Sequence, residues 1–537
     1  MKITKKSTIL LPLYLAIAMI IGLLIGVKFI NYPKMKHDGM LMNFHKYNKV
    51  NDVISYIQEN YVDSVEREIL EESAINGMLS NLDPHSVYIP ATDYHDANDI
   101  LEGNFEGIGV QFRVQDDTII VIQPVQGGPS EKSGIIAGDR IIKIEGEMVA
   151  GIKISNKDVM QRLKGEKGTK VMVSIYRKGV DNLIDLTITR DVIPTYSIDI
   201  AYMVNPKIGY VKVSKFSETT KKEFKEAIEK LNNEGMKKLI LDLRGNAGGY
   251  LKSAIYMSDE FLSKKKLIVY TKGKSRGSDY AYSTKNGMFE ENELVVLIDE
   301  FSASASEIVA GAIQDNDRGI IIGRKSFGKG LVQEQLPLFD GSAVRLTIAR
   351  YYTPTGRSIQ KSYDKGTEAY YNSFYESYVN GVHGDTILKK PNDTITYTTP
   401  EGKIVYGGGG ITPDIIVPYV KDEKLDYYNK LIRSSVLYQF CFYYSDKHRD
   451  DLMQYENAKK YISKFKISNK ILSDLVDFAE DKGIEKDMAG LNYAREKIKF
   501  ILKAFIGRNI FDDEAFYPLY HKTDHTFIKA LQVLEEK

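Results

Sequence analysis

Ser304 lies just beyond the apolar run Leu294–Ile298, inside Ser302-Ala303-Ser304-Ala305-Ser306-Glu307, where a buried strand bends into a helix. Such a bend exposes side chains, and a serine on it is a candidate nucleophile. The same spacing, Ser304 with Glu307, also matches the S-x-x-E capping box, in which both side chains satisfy free amides at a helix start. Taken alone, the spacing favours the cap. Histidine placement changes the weighing. The eight histidines are His37, His45, His85, His95, His383, His448, His521 and His525, so residues 96–382 contain none. A Ser-His-Asp triad wholly within that stretch is impossible, and a serine nucleophile there needs another base. A lysine held neutral by burial can serve. Lys329, in Ser326-Phe327-Gly328-Lys329-Gly330, is flanked by glycines that leave little bulk beside it; its bland alternative is an exposed turn lysine.

Lys329 has a second chemical reading. Gly323 to Lys329 follows the phosphate-loop pattern G-x-x-x-x-G-K, but Gly330 stands where that motif needs a hydroxyl to hold magnesium. The following Leu331-Val332-Gln333-Glu334-Gln335-Leu336-Pro337 alternates like a strand instead of opening a helix. Nucleotide hydrolysis is disfavoured. Asp83 and His85 invite a catalytic reading too, although a lone histidine beside a proline stop is usually structural.

Elements must position these groups, and the chain is long enough for several domains: 537 residues, with 43% hydrophobic and 27% charged. The 73 basic and 72 acidic residues give a net charge of +1, no footprint for nucleic acid. Cys441 is the only cysteine, which excludes an internal disulfide and a cysteine zinc site; no metal or cofactor is expected. Lys2, Lys5 and Lys6 precede an apolar stretch from Ile9 to Ile30 long enough to span a bilayer. This predicts a membrane anchor over residues 1–32 with a cytoplasmic N-terminus, and a single-pass inner-membrane protein whose remainder is periplasmic; a cleaved signal peptide is the competing reading. Helical spacing marks residues 43–100, and residues 103–190 read as short strands between glycine-containing turns. Residues 193–420 alternate strands and helices as an α/β core. Residues 421–537 are amphipathic helices, whose apolar faces serve a homodimer or pack back on their own core. A tyrosine-rich insertion, 363–378, reads as surface.

Together, Ser302 to Glu307, Phe327-Gly328-Lys329-Gly330 and Asp242-Leu243-Arg244-Gly245-Asn246-Ala247-Gly248-Gly249 resemble the signatures of the carboxyl-terminal processing peptidases, or tail-specific proteases, over roughly residues 43–418. Ala247 departs from the proline usual there. The resemblance implies a multidomain α/β protein with a ClpP/crotonase-like protease core. Ser304 is then the nucleophile, Lys329, 25 positions on, its base, and Gln333 the residue that orients the lysine. Ala305 and either Gly248 or Gly249 supply the oxyanion amides, while Ser302 and Ser306 support the lysine or the turn. Tyr351 to Gln360 and Gly409 to Asp414 also look like family motifs and are assigned structure.

Gly107-Ile108-Gly109-Val110, with Gly127-Gly128-Pro129 and Gly134 to Ile141, looks like a PDZ domain, which captures a peptide's terminal carboxylate and adds the peptide to a sheet edge. Ile108, Gly109 and Val110 form the reading loop and strand, and Val159 and Leu163 on a helix over 156–164 form the other wall or belong to the core. The expected function is an exported, membrane-anchored serine endopeptidase acting on polypeptides with apolar C-terminal tails. The alternative is a noncatalytic PDZ scaffold or pseudoprotease.

Overall fold

A computed structural model describes residues 19–20, 49–284, 287–372, 395–419 and 422–536. It divides into two units, 1–79 and 80–537. The first contains the helices Lys49–Asn60 and Arg67–Leu79.

In the second unit, a six-stranded sheet carries the architecture. Its spatial order is Ile198–Met203, Ile208–Val213, Lys238–Asp242, Glu293–Ile298, Ile320–Gly323 and Ile415–Ile416. The first pair is antiparallel and the rest are parallel. Alternate side chains leave on opposite faces of a strand, and here both faces are dry. Val211, Leu239, Leu241, Val296 and Ile321 pack with the helices Thr220–Asn233, Leu251–Asp259 and Ala305–Asp315. Tyr210, Ile240, Val295, Leu297 and Ile322 face the C-terminal helices, among them Val436–Lys447, Arg495–Tyr520 and His525–Glu536. A sheet covered on both sides explains why its strands read as apolar runs. Apolar faces of the tail helices thus pack on the sheet of their own chain.

A second sheet joins Val87–Ile89, Ala343–Tyr352, Leu267–Gly273 and Ser278–Tyr282, with Leu331–Pro337 also paired to Ala343–Tyr352. Its register slips between Val332 and Gln333, where Gln333 faces Thr347. Irregularities of this kind re-aim side chains beside active sites. The third sheet, in residues 110–189, orders as Val110–Gln115, Thr118–Pro124, Arg140–Ile144, Lys170–Tyr176 and Ile184–Thr189, so Val110–Gln115 is an edge.

The single-pass inner-membrane, periplasmic assignment is corrected. Among the described residues no helix is long and apolar enough to cross a membrane. The longest, Arg495–Tyr520, is interrupted at Phe511 and Asp512 and carries charged residues along its length. The stretch Ile9 to Ile30, apart from Met19 and Ile20, lies outside the described residues, as do residues 373–378 of the tyrosine-rich insertion.

Candidate active site

Ser304 ends the turn after Glu293–Ile298 and starts the helix Ala305–Asp315, with φ 53° and ψ −112°. Those angles cost a non-glycine residue roughly 1–3 kcal/mol and persist only where surroundings impose them. The surroundings do so here. Asp299 Oδ1 accepts the amides of Gly245, Phe301 and Ser302 at 2.9, 3.1 and 3.1 Å. Ser302 Oγ donates to the Leu243 carbonyl and Ser306 Oγ to the Asn246 carbonyl, both at 2.9 Å. The two flanking serines thus stitch the bend to the turn Asp242 to Gly249.

Glu307 does far more than cap. Its carboxylate is fully buried and accepts the Ser304 amide (2.9 Å), the Gly328 amide (2.7 Å), the Lys329 amide (2.8 Å) and the Ser326 hydroxyl (2.6 Å). Burial raises its pKa, opposed by these donors, Ser326 foremost. Tyr351 ties the same two segments from the other side. Its hydroxyl lies 3.0 Å from the Ser304 carbonyl and 2.6 Å from the Lys329 carbonyl, sharing its proton between them.

Lys329 Nζ donates to Gln333 Oε1 at 2.9 Å, and Gln333 Nε2 donates to the His85 carbonyl at 2.5 Å. Burial lowers the Lys329 pKa and the Arg345 cation lowers it further, against Asp83 and Glu307, which raise it. The net direction favours the neutral amine that a base requires. His85, also desolvated and near Lys329, is lowered to about 4 and is neutral above that pH.

Gly248 presses against Ser304. A Cβ on it would stand 2.8 Å from Ser304 Cβ and 3.0 Å from the Ala305 amide nitrogen, and its φ is +106°. Its own N–H donates to Asn246 Oδ1 at 2.8 Å. A Cβ on Gly249 would meet the Phe216 carbonyl oxygen at 1.9 Å. Both positions demand glycine, for close approach. Arg244 in this turn pairs with Asp242 at 2.6 Å and with Asp524 of the C-terminal region at 2.7 Å.

A separate groove of about 390 Å³ is lined by Phe105, Ile108, Gly109, Val110, Phe112, Met160 and Leu163. Gly109 has φ +70°, and Val110 begins the edge strand. The groove lining also holds Lys215 and Lys164, the latter bridging Asp96 and Asp99 at 2.6 and 2.8 Å. Val159 is fully buried with the module's core and is not in the lining.

Family models match peptidase family S41 over residues 207–369, a PDZ domain over 107–188, the activating protease CtpB N-terminal domain over 30–92 and a family of unknown function over 427–512. The carboxy-terminal-processing protease of Bartonella bacilliformis is 40% identical over 314 residues, 58% of this chain and 71% of that protein. The carboxy-terminal processing protease CtpA of Bacillus subtilis is 38% identical over 317 residues, 59% of this chain and 67% of that protein. A solved structure titled photosystem II D1 C-terminal processing protease is 28% identical, with 58% of this chain and 89% of that one covered and a TM-score of 0.34. The chain belongs to peptidase family S41. It is a carboxy-terminal processing serine protease that carries a PDZ domain.

In this S41 protease the sequence-derived residues fall into two groups. Glu307 and Tyr351 join the backbones of Ser304 and Lys329, Gly248 presses on Ser304 and Ala305, Gln333 holds Lys329 and Gly249 packs on Phe216, while Ile108, Gly109, Val110 and Leu163 line the PDZ groove. The sequence pattern does not single out Tyr351 or the His85 carbonyl, and it gives Glu307 only a cap. No local pattern marks a carbonyl 248 positions away as a partner of Gln333. The phosphate-loop reading of Lys329 fails because Leu331–Pro337 is a strand, leaving no helix N-terminus behind the loop. Phe105, Phe112 and Met160 also escape the sequence pattern; Met160 is the neighbour of the expected Val159, and testing both helix faces would find it.

Proposed function

We propose that this protease cleaves polypeptides with Ser304 as nucleophile and Lys329 as general base, Gln333 holding the lysine. Ser304 Oγ attacks the scissile carbonyl as its proton passes to neutral Lys329 Nζ, giving a tetrahedral oxyanion. The Ala305 amide is one donor to it. Because the Gly248 amide is given to Asn246, the Gly249 amide is assigned as the second. Collapse expels the amine with the proton from Lys329 and leaves an acyl-enzyme on Ser304; Lys329 then takes a proton from a water whose oxygen attacks the acyl carbonyl, and the second tetrahedral intermediate expels Ser304 Oγ, which regains that proton from Lys329 as the new carboxyl terminus is released. The observation that carries this reading is the buried Glu307 carboxylate, which joins the Ser304 and Lys329 backbones and draws two residues far apart in sequence into one site.

The PDZ groove is assigned to the substrate's tail. Ile108, Gly109 and Val110 receive the terminal carboxylate and the last strand residues on the open edge, while Phe105, Phe112, Met160 and Leu163 take apolar side chains. Residues 103–190 and 193–420 are assigned as the reading and cutting domains. The test is an unstructured polypeptide ending in apolar residues, supplied as free acid and as C-terminal amide. Wild type should process the free acid faster, and Ser304→Ala and Lys329→Ala should process neither. Equal processing of both tails contradicts the groove assignment, and turnover by either variant contradicts the dyad.

A further inference from the structure

The turn Asp83-Pro84-His85-Ser86 has no part in the mechanism above, yet it is wired into it. Asp83, largely buried, accepts with Oδ1 the amides of His85 (2.8 Å) and Ser86 (2.9 Å), and with Oδ2 the Ser86 hydroxyl (2.6 Å). Ser86 Oγ in turn accepts the Thr347 amide at 3.1 Å. Thr347 is the cross-strand register partner of Gln333. The turn is thus fastened to the strand beside Gln333 while its His85 carbonyl receives Gln333 Nε2.

The chemistry of that last bond decides an orientation. A carboxamide has a donor end and an acceptor end, and a backbone carbonyl only accepts. With Nε2 committed to the His85 carbonyl, Oε1 is the end left for Lys329, whose ammonium or amine must donate to it. A rotated amide would set Nε2 against Nζ and disfavour the proton-bearing lysine. The His85 ring adds a wall: it meets Phe327 and Tyr370 edge-on, with Nε2 3.1 Å from the Tyr370 hydroxyl.

We infer that Asp83 is a positioning residue for the peptidase site: it sets the His85 carbonyl, which fixes the Gln333 amide and so the direction of Lys329 Nζ. His85 contributes its carbonyl and its bulk, and its imidazole carries no proton in the reaction. This rests on Lys329 being the base. The charged or titratable groups acting on Lys329 are Asp83, Glu307 and Arg345, with His85 neutral beside it.

The experiment compares Asp83→Ala and Asp83→Asn in the full chain on the apolar-tailed free-acid polypeptide, with Lys329→Ala alongside. Asp83→Ala frees the turn, so kcat should fall on the order of 10–100-fold with KM nearly unchanged, the scale expected of a misplaced reacting group. Asp83→Asn keeps an oxygen for the two amides and removes the charge that raises the Lys329 pKa. It should retain most of kcat, and the acid limb of its kcat profile should move to lower pH. Ser86→Ala, which leaves both amide bonds to Asp83, should lower kcat a few-fold and keeps the inference testable if Asp83→Ala does not fold. Wild-type kcat in Asp83→Ala, or equal kcat losses in both Asp83 variants that follow their loss of thermal stability with an unmoved acid limb, overturns the inference while an inactive Lys329→Ala leaves the dyad standing. Turnover by Lys329→Ala overturns the dyad and this inference together.

Discussion

The proposed peptidase site and the proposed tail-binding groove solve opposite problems. Around Ser304 and Lys329 the backbone is over-determined: one carboxylate takes four donors, one phenol spans two carbonyls, and a serine is held at φ 53°. The groove is a largely apolar trough beside an edge strand, with Asp96, Asp99, Lys164 and Lys215 as its charged lining. Bond cleavage needs reacting atoms fixed to fractions of an ångström. Reading varied tails needs main-chain bonding plus apolar surface that tolerates different side chains. Rigidity and permissiveness are thus divided between two domains of one chain.

If that division is right, damage to the first region should be severe in kcat and stability, and damage to the second should fall on KM. Glu307→Ala should have the largest effect. It leaves four donors without their acceptor, of which the Ser326 hydroxyl and the Gly328 amide are buried and cost about 1–3 kcal/mol each, so activity should vanish and the denaturant midpoint fall steeply. Gly248→Ala should lower kcat about 100-fold or more while largely preserving tail affinity, because its Cβ would stand 2.8 Å from that of Ser304; binding of a tail peptide to the variant checks this. Val110→Asp should raise KM about tenfold for a free-acid apolar tail, through charge repulsion and lost apolar contact, with kcat changed little. A fall in kcat matching the rise in KM would mean that reading and cutting are not separable. The smallest effect is expected at the strained serine. Ser304→Gly should be about 1 kcal/mol more stable than Ser304→Ala, since glycine accepts those angles without strain.

Much of this division is legible in the amino-acid sequence. Buried runs such as Leu294 to Ile298 sit in the central sheet, and the absence of histidine from residues 96–382 directs attention to Lys329. Both signals are local or compositional. The parts that are not legible depend on tertiary approach. Glu307 shows a cap spacing in sequence, and only the fold brings Ser326, Gly328 and Lys329 to its carboxylate. Tyr351 lies in a turn-rich motif that reads as structural until its hydroxyl meets two carbonyls. The groove's helix is evident from its spacing, but the face it turns to the trough is not: Val159 turns into the core and Met160 into the trough. The short strand Val87–Ile89 has no periodicity to announce it and exists because Ala343–Tyr352 pairs with it.

The dyad is tested most directly by the rate at which a serine-directed acylating probe labels the protein across pH, in wild type and in Lys329→Ala. Burial and Arg345 lower the Lys329 pKa. The neutral, reactive fraction should therefore grow as pH rises through a single ionisation below the ordinary lysine range, and His85, at about 4, adds no step above a pH of about 5. Label is expected on Ser304 alone in wild type, rising along that curve, and none is expected in Lys329→Ala. Labelling of Lys329→Ala at the wild-type rate, or label on a serine other than Ser304, would contradict the dyad.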